Sequence, residues 1–129
     1  MLSVRTLSAI EAHNFAVGAP IEEVIQVLVD RLGLTLVAAI GGVSETRAVA
    51  QWLQNRKPQR PQVLRFSLQL ALMVAASDDP ATVRAWFQGS NPHLGDTSPA
   101  LLLRNRPLEE VQEALMHAAR EFAARVAPE

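Results

Sequence analysis

Side chains able to recognise DNA are concentrated in one stretch of the sequence, SETRAVAQWLQNRKPQR, residues 44 to 60. In this stretch Arg47 suits guanine and Gln51 suits adenine in the major groove. A basic cluster closes it, made of Arg56, Lys57 and Arg60. Such cations bind phosphates regardless of sequence, with an affinity that falls as salt rises. The predicted DNA-binding residues are Ser44, Glu45, Thr46, Arg47, Gln51, Arg56, Lys57 and Arg60.

Positive charge is concentrated in one part of the chain, as expected for a surface that binds nucleic acid. The whole chain has a net charge of −1, but residues 44 to 65 hold five basic residues and one acid. Residues 66 to 129 hold five basic and eight acidic residues. A solvated helix face also gathers charge, so the cluster alone leaves both interpretations open.

Catalytic and metal-binding patterns are not apparent. His13, His93 and His117 are far apart in sequence without ligand spacing, and cysteine is absent. The adjacent Asp78 and Asp79 are better explained by a helix start than by acid–base catalysis. The glycine pair in AIGGV lacks the lysine and the preceding strand of a P-loop. We therefore expect no enzyme, no metal site and no cofactor.

The composition favours helices packed on helices. Hydrophobic residues make up 49% of the 129 residues, yet only 5% are aromatic and tyrosine is absent. The longest apolar run, 66 to 76, falls short of the roughly 20 residues that a membrane span needs. With no signal-peptide pattern at the start, we expect an all-α, cytoplasmic protein with no membrane association.

Glycine, proline and capping residues divide the chain into predicted helices. Pro20 opens a helix that Gly33 ends, and Thr35 caps a short second helix that Gly41 and Gly42 stop. The two glycines can supply the positive φ that a turn requires. Ser44 is predicted to open and cap a third helix, with Val49, Trp52 and Leu53 facing the core.

The second half of the chain is also predicted to be helical. A buried helix spans about 62 to 77, and Asp79 with Pro80 starts another that Gly89 ends. A loop over 89 to 99, a short helix ALLLR and an amphipathic helix from about Pro107 to Val126 follow. Residues 1 to 17 have only a weak helical pattern.

Residues 34 to 55 supply the parts of a helix-turn-helix in order. This motif needs a first helix, a tight turn that usually contains glycine, and a second helix whose N-terminal side chains enter the major groove. Short alanine-rich helices joined by glycine turns also occur in ordinary bundles, which leaves a purely structural unit open.

Two segments resemble a known family. LGLTLVAAIGGVSETRAVAQWLQNRKP resembles the helix-turn-helix of Xre-type proteins, with its GVS turn and WL recognition helix. ATVRAWFQGSNPHLGDTSPALLLRNRPLEEVQEAL is similar to the toxin-binding domain of the Xre/MbcA/ParS antitoxins. The family pattern NP.LG...P..LL is matched at Asn91, Pro92, Leu94, Gly95, Pro99, Leu102 and Leu103. The resemblance covers roughly residues 20 to 126.

The resemblance implies an antitoxin of a type II toxin–antitoxin pair that blocks a RES-type, NAD-consuming toxin and binds operator DNA for autoregulation. It implies an N-terminal extension (1–19), an Xre-like helix-turn-helix region (20–61) and a helical toxin-binding domain (62–129). Apolar anchors and arginines on the C-terminal face could contact the toxin. The predicted toxin-binding residues are Trp86, Pro92, Leu94, Leu101, Leu102, Arg104, Arg106, Arg120, Arg125 and Glu129.

Other interpretations remain beside the antitoxin. A stand-alone helix-turn-helix transcriptional regulator would need no toxin. A purely structural interaction module would have a helix-turn-helix that does not bind DNA. We expect a homodimer or a hetero-oligomer with the toxin, because a dimer would place two recognition helices about one DNA turn apart.

Overall fold

The computed structural model describes residues 9 to 75 and 79 to 126, with the side chains of residues 9 and 126 excepted. In these ranges the chain forms eight α-helices and one short 3-10 helix, and no strand is present. The all-α prediction is confirmed. The helices are α1 (Ala9–Gly18), α2 (Ile21–Leu32), α3 (Leu34–Gly41), α4 (Thr46–Gln54), α5 (Pro61–Val74), α6 (Pro80–Gln88), α7 (Pro99–Asn105) and α8 (Leu108–Val126).

Helix α5 lies at the centre of the molecule. It packs against α1, α2 and α3 on the N-terminal side and against α6 and α8 on the C-terminal side. Leu64, Leu68 and Leu70 are fully buried, in agreement with the predicted core helix. Its one buried hydroxyl, on Ser67, donates to the Val63 carbonyl at 2.7 Å, so no unpaired polar group is left in this part of the core.

The two predicted regions on either side of residue 61 share one hydrophobic core. One buried cluster contains residues from both regions, from Ala16 in α1 to Ala119 in α8, and includes Trp52 from α4 and Trp86 from α6. Each short helix can bury only one apolar stripe. Helices α1, α2, α3, α6 and α8 bury theirs directly against α5, whereas α4 packs on α2 and α3, and α7 packs on α3, α6 and α8.

Helix termini in the second half follow the predicted caps. Asp79 accepts from the Ala81 N–H at 3.0 Å at the start of α6, and Gly89 lies at its C-terminus. Ser98, for which sequence analysis predicted only a loop, also caps α7 by accepting from the Leu101 N–H at 3.2 Å. Helix α8 begins at Leu108, one residue after the predicted start at about Pro107, and has Glu109 and Glu110 in its first turn.

Two predicted caps in the first half are wrong. Helix α3 begins at Leu34 with Gly33 as its N-cap, so Thr35 lies inside the first turn. Helix α4 begins at Thr46 with Glu45 as its N-cap, and no side chain bonds to that terminus. Ser44 instead lies in the turn before Glu45. Local sequence did not distinguish a turn residue from a capping residue, because small polar side chains favour both positions.

The loop between α6 and α7 is held by its own hydrogen bonds. The 3-10 helix Pro92–Leu94 starts where the Asn91 side chain accepts from the His93 N–H at 2.9 Å. The Asn91 N–H donates to the Thr97 carbonyl at 3.0 Å, which closes the loop. Asp96 is the only described residue other than glycine with a positive φ, 64°. This segment is therefore an ordered structure that fixes where His93 lies.

Candidate functional site

The candidate site is the unit formed by α3, the turn after it and α4, here called the α3–α4 unit (residues 34–54). Gly42 is the residue that reverses the chain, with φ 82° in the left-handed region. Gly41 is helical and has a different role from the one predicted. A Cβ on Gly41 would lie 2.6 Å from Cη2 of Trp52, so its missing side chain lets the indole of α4 pack directly on α3.

Helix α4 has a buried face and an exposed face. Val49 and Trp52 are buried against the core. On the opposite side Thr46, Arg47 and Gln51 are exposed, together with Ser44 and Glu45 just before the helix. This is the arrangement that the spacing of the sequence predicted for these residues.

The exposed face of α4 borders an open groove of about 420 Å³. The groove is lined by Gly42, Val43, Ser44, Glu45, Arg47, Ala48, Gln51 and Arg104. Its polar side chains include a carboxylate, an amide and two guanidinium groups, which can all form directional hydrogen bonds.

Arg47 is paired with a neighbouring carboxylate and remains in solvent. Its Nη2 lies 3.3 Å from Oε2 of Glu45, and the two side chains are 79% and 66% exposed. An exposed pair of this kind contributes little to stability, so Arg47 can leave Glu45 for another acceptor at small cost.

The structure places Arg60 away from the exposed basic cluster. Its half-buried guanidinium donates to the Arg104 carbonyl at 3.1 Å and reaches the Ile40 carbonyl at 3.4 Å. These carbonyls belong to the C-terminal turns of α7 and α3, which lack partners within their helices. Arg60 therefore joins two helix ends, whereas the sequence pattern suggested a phosphate contact.

The Arg104 side chain also binds carbonyl groups at and just beyond the C-terminal end of α3. From α7 its Nη1 donates to the Ala39 carbonyl at 2.8 Å and to the Val43 carbonyl at 3.2 Å. A cation at these carbonyls also opposes the negative end of the α3 dipole. The predicted toxin-binding role of Arg104 thus competes with a structural one, in which α7 holds the turn of the α3–α4 unit.

Two further arginines bind helix ends in ways that sequence analysis did not anticipate. Arg65 donates to the Ala19 carbonyl at 2.7 Å, beyond the end of α1, and Arg84 donates to the Arg31 carbonyl at 3.3 Å in α2. One signal was present for Arg65, which lies between buried Leu64 and Phe66 and so needs a partner near the core.

These contacts reduce the positive surface near α4. Of the five basic residues between 44 and 65, Arg60 and Arg65 are bound to carbonyls. Arg47, Arg56 and Lys57 remain exposed, with Glu45 as the one acid beside them. The exposed net charge is therefore smaller than the sequence indicated, although its sign is still positive.

The predicted C-terminal contact residues divide into buried and exposed groups. Trp86 and Leu94 are only 7% and 9% exposed, so both belong mainly to the core. The Trp86 ring packs edge-on against Phe87 with centroids 5.0 Å apart, and its buried Nε1 has no hydrogen-bond partner.

The exposed group is centred on α7 and α8. Leu101 is 52% exposed, whereas Leu102 is half-buried. Arg106 is bonded to Glu110 at 2.8 Å. Pro92, Arg120 and Arg125 are also exposed, and Glu129 lies outside the described residues.

The structure brings together two histidines that the sequence left apart. The rings of His93 and His117 lie edge to face with centroids 5.5 Å apart. Across residues 9–75 and 79–126, no three His, Asp or Glu side chains converge as metal ligands. The spacing of residues along the sequence could not predict this contact, because the two histidines belong to different secondary structure elements.

Helices long and apolar enough to cross a membrane were not found among the described residues. Comparison with protein-family models, with curated proteins and with solved structures gave no match to this chain.

Proposed function

We propose that this chain is a cytoplasmic antitoxin that binds operator DNA through α4 and blocks a RES-type toxin with its C-terminal region. The observation that carries the DNA part is the exposed face of α4, where Thr46, Arg47 and Gln51 follow a glycine turn and border a polar groove. Side chains at the start of a helix are the ones that reach base edges when that helix enters a major groove.

Basic residues next to this face support a DNA partner. Arg56 and Lys57 follow the C-terminus of α4 and are exposed. They can bind phosphates on either side of a groove and so fix the orientation of α4 without selecting a sequence. The proposal no longer includes Arg60, because its guanidinium is bound to carbonyls.

The toxin part rests on the resemblance and on an exposed apolar residue. Leu101 projects from α7 with 52% of its surface in solvent, although its neighbour Leu103 is buried. An exposed apolar side chain of this kind can be buried in the apolar centre of an interface with a partner. The proposed toxin-contacting set is Pro92, Leu101, Leu102, Arg106, Arg120 and Arg125.

The first prediction concerns Arg47→Ala and DNA. We expect the variant to weaken binding to the promoter DNA upstream of the chain's own gene by roughly 10- to 100-fold, because a bidentate guanine contact is worth about 1–3 kcal/mol. The measurement is fluorescence anisotropy with this duplex and with a scrambled duplex, over a range of salt concentrations. Arg106→Ala is the matched control, since Arg106 is also exposed and also paired with a nearby glutamate.

The outcomes separate the possible functions. Equal affinity of Arg47→Ala and the wild-type protein for the promoter duplex would show that α4 does not contact this DNA.

Co-expression with the protein encoded beside it tests for the toxin. The antitoxin proposal requires that the chain rescue growth and co-purify with that protein. Both effects should be lost in Leu101→Glu and retained in Arg47→Ala. DNA binding without any effect on a neighbour would identify a stand-alone regulator instead, and the absence of both activities would identify a structural module.

A further inference from the structure

The contact between His93 and His117 has chemical properties that neither the DNA nor the toxin proposal uses. His93 comes from the 3-10 helix after α6, and His117 comes from the middle of α8. Both side chains are exposed, and their ring centroids are 5.5 Å apart with an interplanar angle of 82°. Neutral imidazole is the commonest metal-binding side chain in proteins.

The loop that presents His93 is ordered. Its backbone N–H is bonded to the Asn91 side chain at 2.9 Å, and the next residue, Leu94, is buried in the core. The Ser90 hydroxyl donates to the Asp96 carbonyl at 2.8 Å across the same loop. His117 lies next to buried Ala118 on a regular helix. Both histidines are therefore attached to backbone that is already in place before any ligand binds, which lowers the entropic cost of binding.

The separation of the rings matches two imidazoles on a single ion. A zinc–nitrogen bond is about 2.0–2.1 Å, which places each ring centroid about 3.2 Å from the metal. At bond angles between tetrahedral and about 120°, two such centroids are about 5.2–5.5 Å apart. The observed 5.5 Å lies at the edge of that interval. In an edge-to-face contact the ring that presents its face has its nitrogens directed away from the other ring. Binding therefore requires that this ring turn until one nitrogen of each ring points at a common position, a rotation that is open to exposed side chains.

The charged side chains around His117 on α8 have a net negative charge, which favours the binding of a cation. Glu113 and Glu121 lie four residues before and after His117, on the same side of α8, and both are exposed. Arg120 is also near this side and opposes them in part. No third protein ligand is present in the described chain, so water would complete the coordination sphere.

We propose that His93 and His117 form a two-histidine site for a divalent transition-metal ion of the zinc, nickel and copper class. Nitrogen donors select these ions, whereas Mg²⁺ and Ca²⁺ prefer oxygen ligands. The bound ion links the loop between α6 and α7 to α8 and so stabilises the folded chain. The proposal of this site does not depend on the DNA or toxin proposals, although Pro92 and Arg120 of the proposed toxin-contacting set adjoin it.

The test is calorimetric titration of the full-length protein, without a histidine tag, with ZnCl₂, NiCl₂ and MgCl₂. The variants are His93→Gln, His117→Gln and the double substitution. His13→Gln is the matched control, because His13 is also exposed but pairs with Gln69 elsewhere. Circular dichroism confirms that each variant is folded, and thermal unfolding with and without Zn²⁺ gives a second measurement.

We expect one Zn²⁺ or Ni²⁺ per chain in the wild-type protein and in His13→Gln, at least tenfold weaker binding in each single variant, and no binding of Mg²⁺. Zn²⁺ should raise the Tm of the wild-type protein and leave that of the double variant unchanged. Equal affinities of the wild-type protein and the double variant would overturn the site. A stoichiometry of one ion per two chains would overturn it as well, since the ion would then lie between molecules.

Discussion

At the scale of single residues, the arginines of this protein divide by what their guanidinium groups bind. Arg60, Arg65, Arg84 and Arg104 donate to backbone carbonyls at or just beyond the ends of helices. Arg47 and Arg106 bind carboxylates in solvent. The first group serves carbonyl acceptors near helix ends, whereas the second group, like the exposed Arg56, Arg120 and Arg125, is available to an external ligand.

Gly41 provides a stability prediction at the same scale. Gly41→Ala should lower the free energy of unfolding by about 1–3 kcal/mol, because the new Cβ would lie 2.6 Å from the Trp52 ring and force α4 away from α3. Thermal or urea unfolding measures this.

The matched control for that prediction is Gly18→Ala. Gly18 is also the last residue of a helix, and a Cβ there would have no atom within 4 Å. We expect no loss of stability, or a gain of up to about 1 kcal/mol from the better helix propensity of alanine. Equal losses in both variants would mean that the Trp52 contact is not the cause.

At the scale of secondary structure elements, two arginines connect α7 with the first half of the chain. Arg104 extends from α7 to the turn after α3, and Arg60 extends from the segment before α5 to the C-terminus of α7. Because Arg104 also lines the groove beside α4, a change in α7 has a direct path to the proposed DNA surface.

Arg104→Gln tests this connection. The variant should lose about 1–3 kcal/mol of stability, since the Ala39 and Val43 carbonyls lose a charged donor in a half-buried site. Arg106→Gln, two residues away, should lose at most about 1 kcal/mol, because it removes an exposed ion pair. Urea unfolding of the two variants gives the comparison, and losses of equal size would show that the carbonyl contacts of Arg104 contribute no more than a surface pair.

At the scale of the whole molecule, the central α5 connects the N-terminal and C-terminal helices in one core. The two tryptophans report on the two sides, since Trp52 belongs to α4 and Trp86 to α6 and both are buried. A shared core predicts that both sides unfold together.

Single-tryptophan variants measure this cooperativity. Trp52→Phe leaves the fluorescence of Trp86, and Trp86→Phe leaves that of Trp52. In each variant the urea transition followed by fluorescence should coincide with the transition followed by far-UV circular dichroism. Fluorescence and circular dichroism midpoints that differ within one variant would instead show that the regions before and after residue 61 unfold as separate units.

Sequence alone was sufficient for the helices with strong local signals. Asp79 with Pro80 at the start of α6, and the apolar stripe of α8, were located because capping and the 3.6-residue period are properties of neighbouring residues. The outward direction of Thr46, Arg47 and Gln51 followed from the same period once Val49 and Trp52 were assigned to the core.

Tertiary structure alone decided where the long polar side chains lie. The guanidinium of Arg104 meets a carbonyl 65 residues earlier in the chain, and His93 meets His117 across a loop and a helix. Arginine has several rotatable bonds and can reach acceptors in many directions, so its sequence position does not determine its partner. Helix packing brings those acceptors into range, and for that reason an arginine that the sequence assigned to an external ligand is, in the structure, bound to the end of a helix.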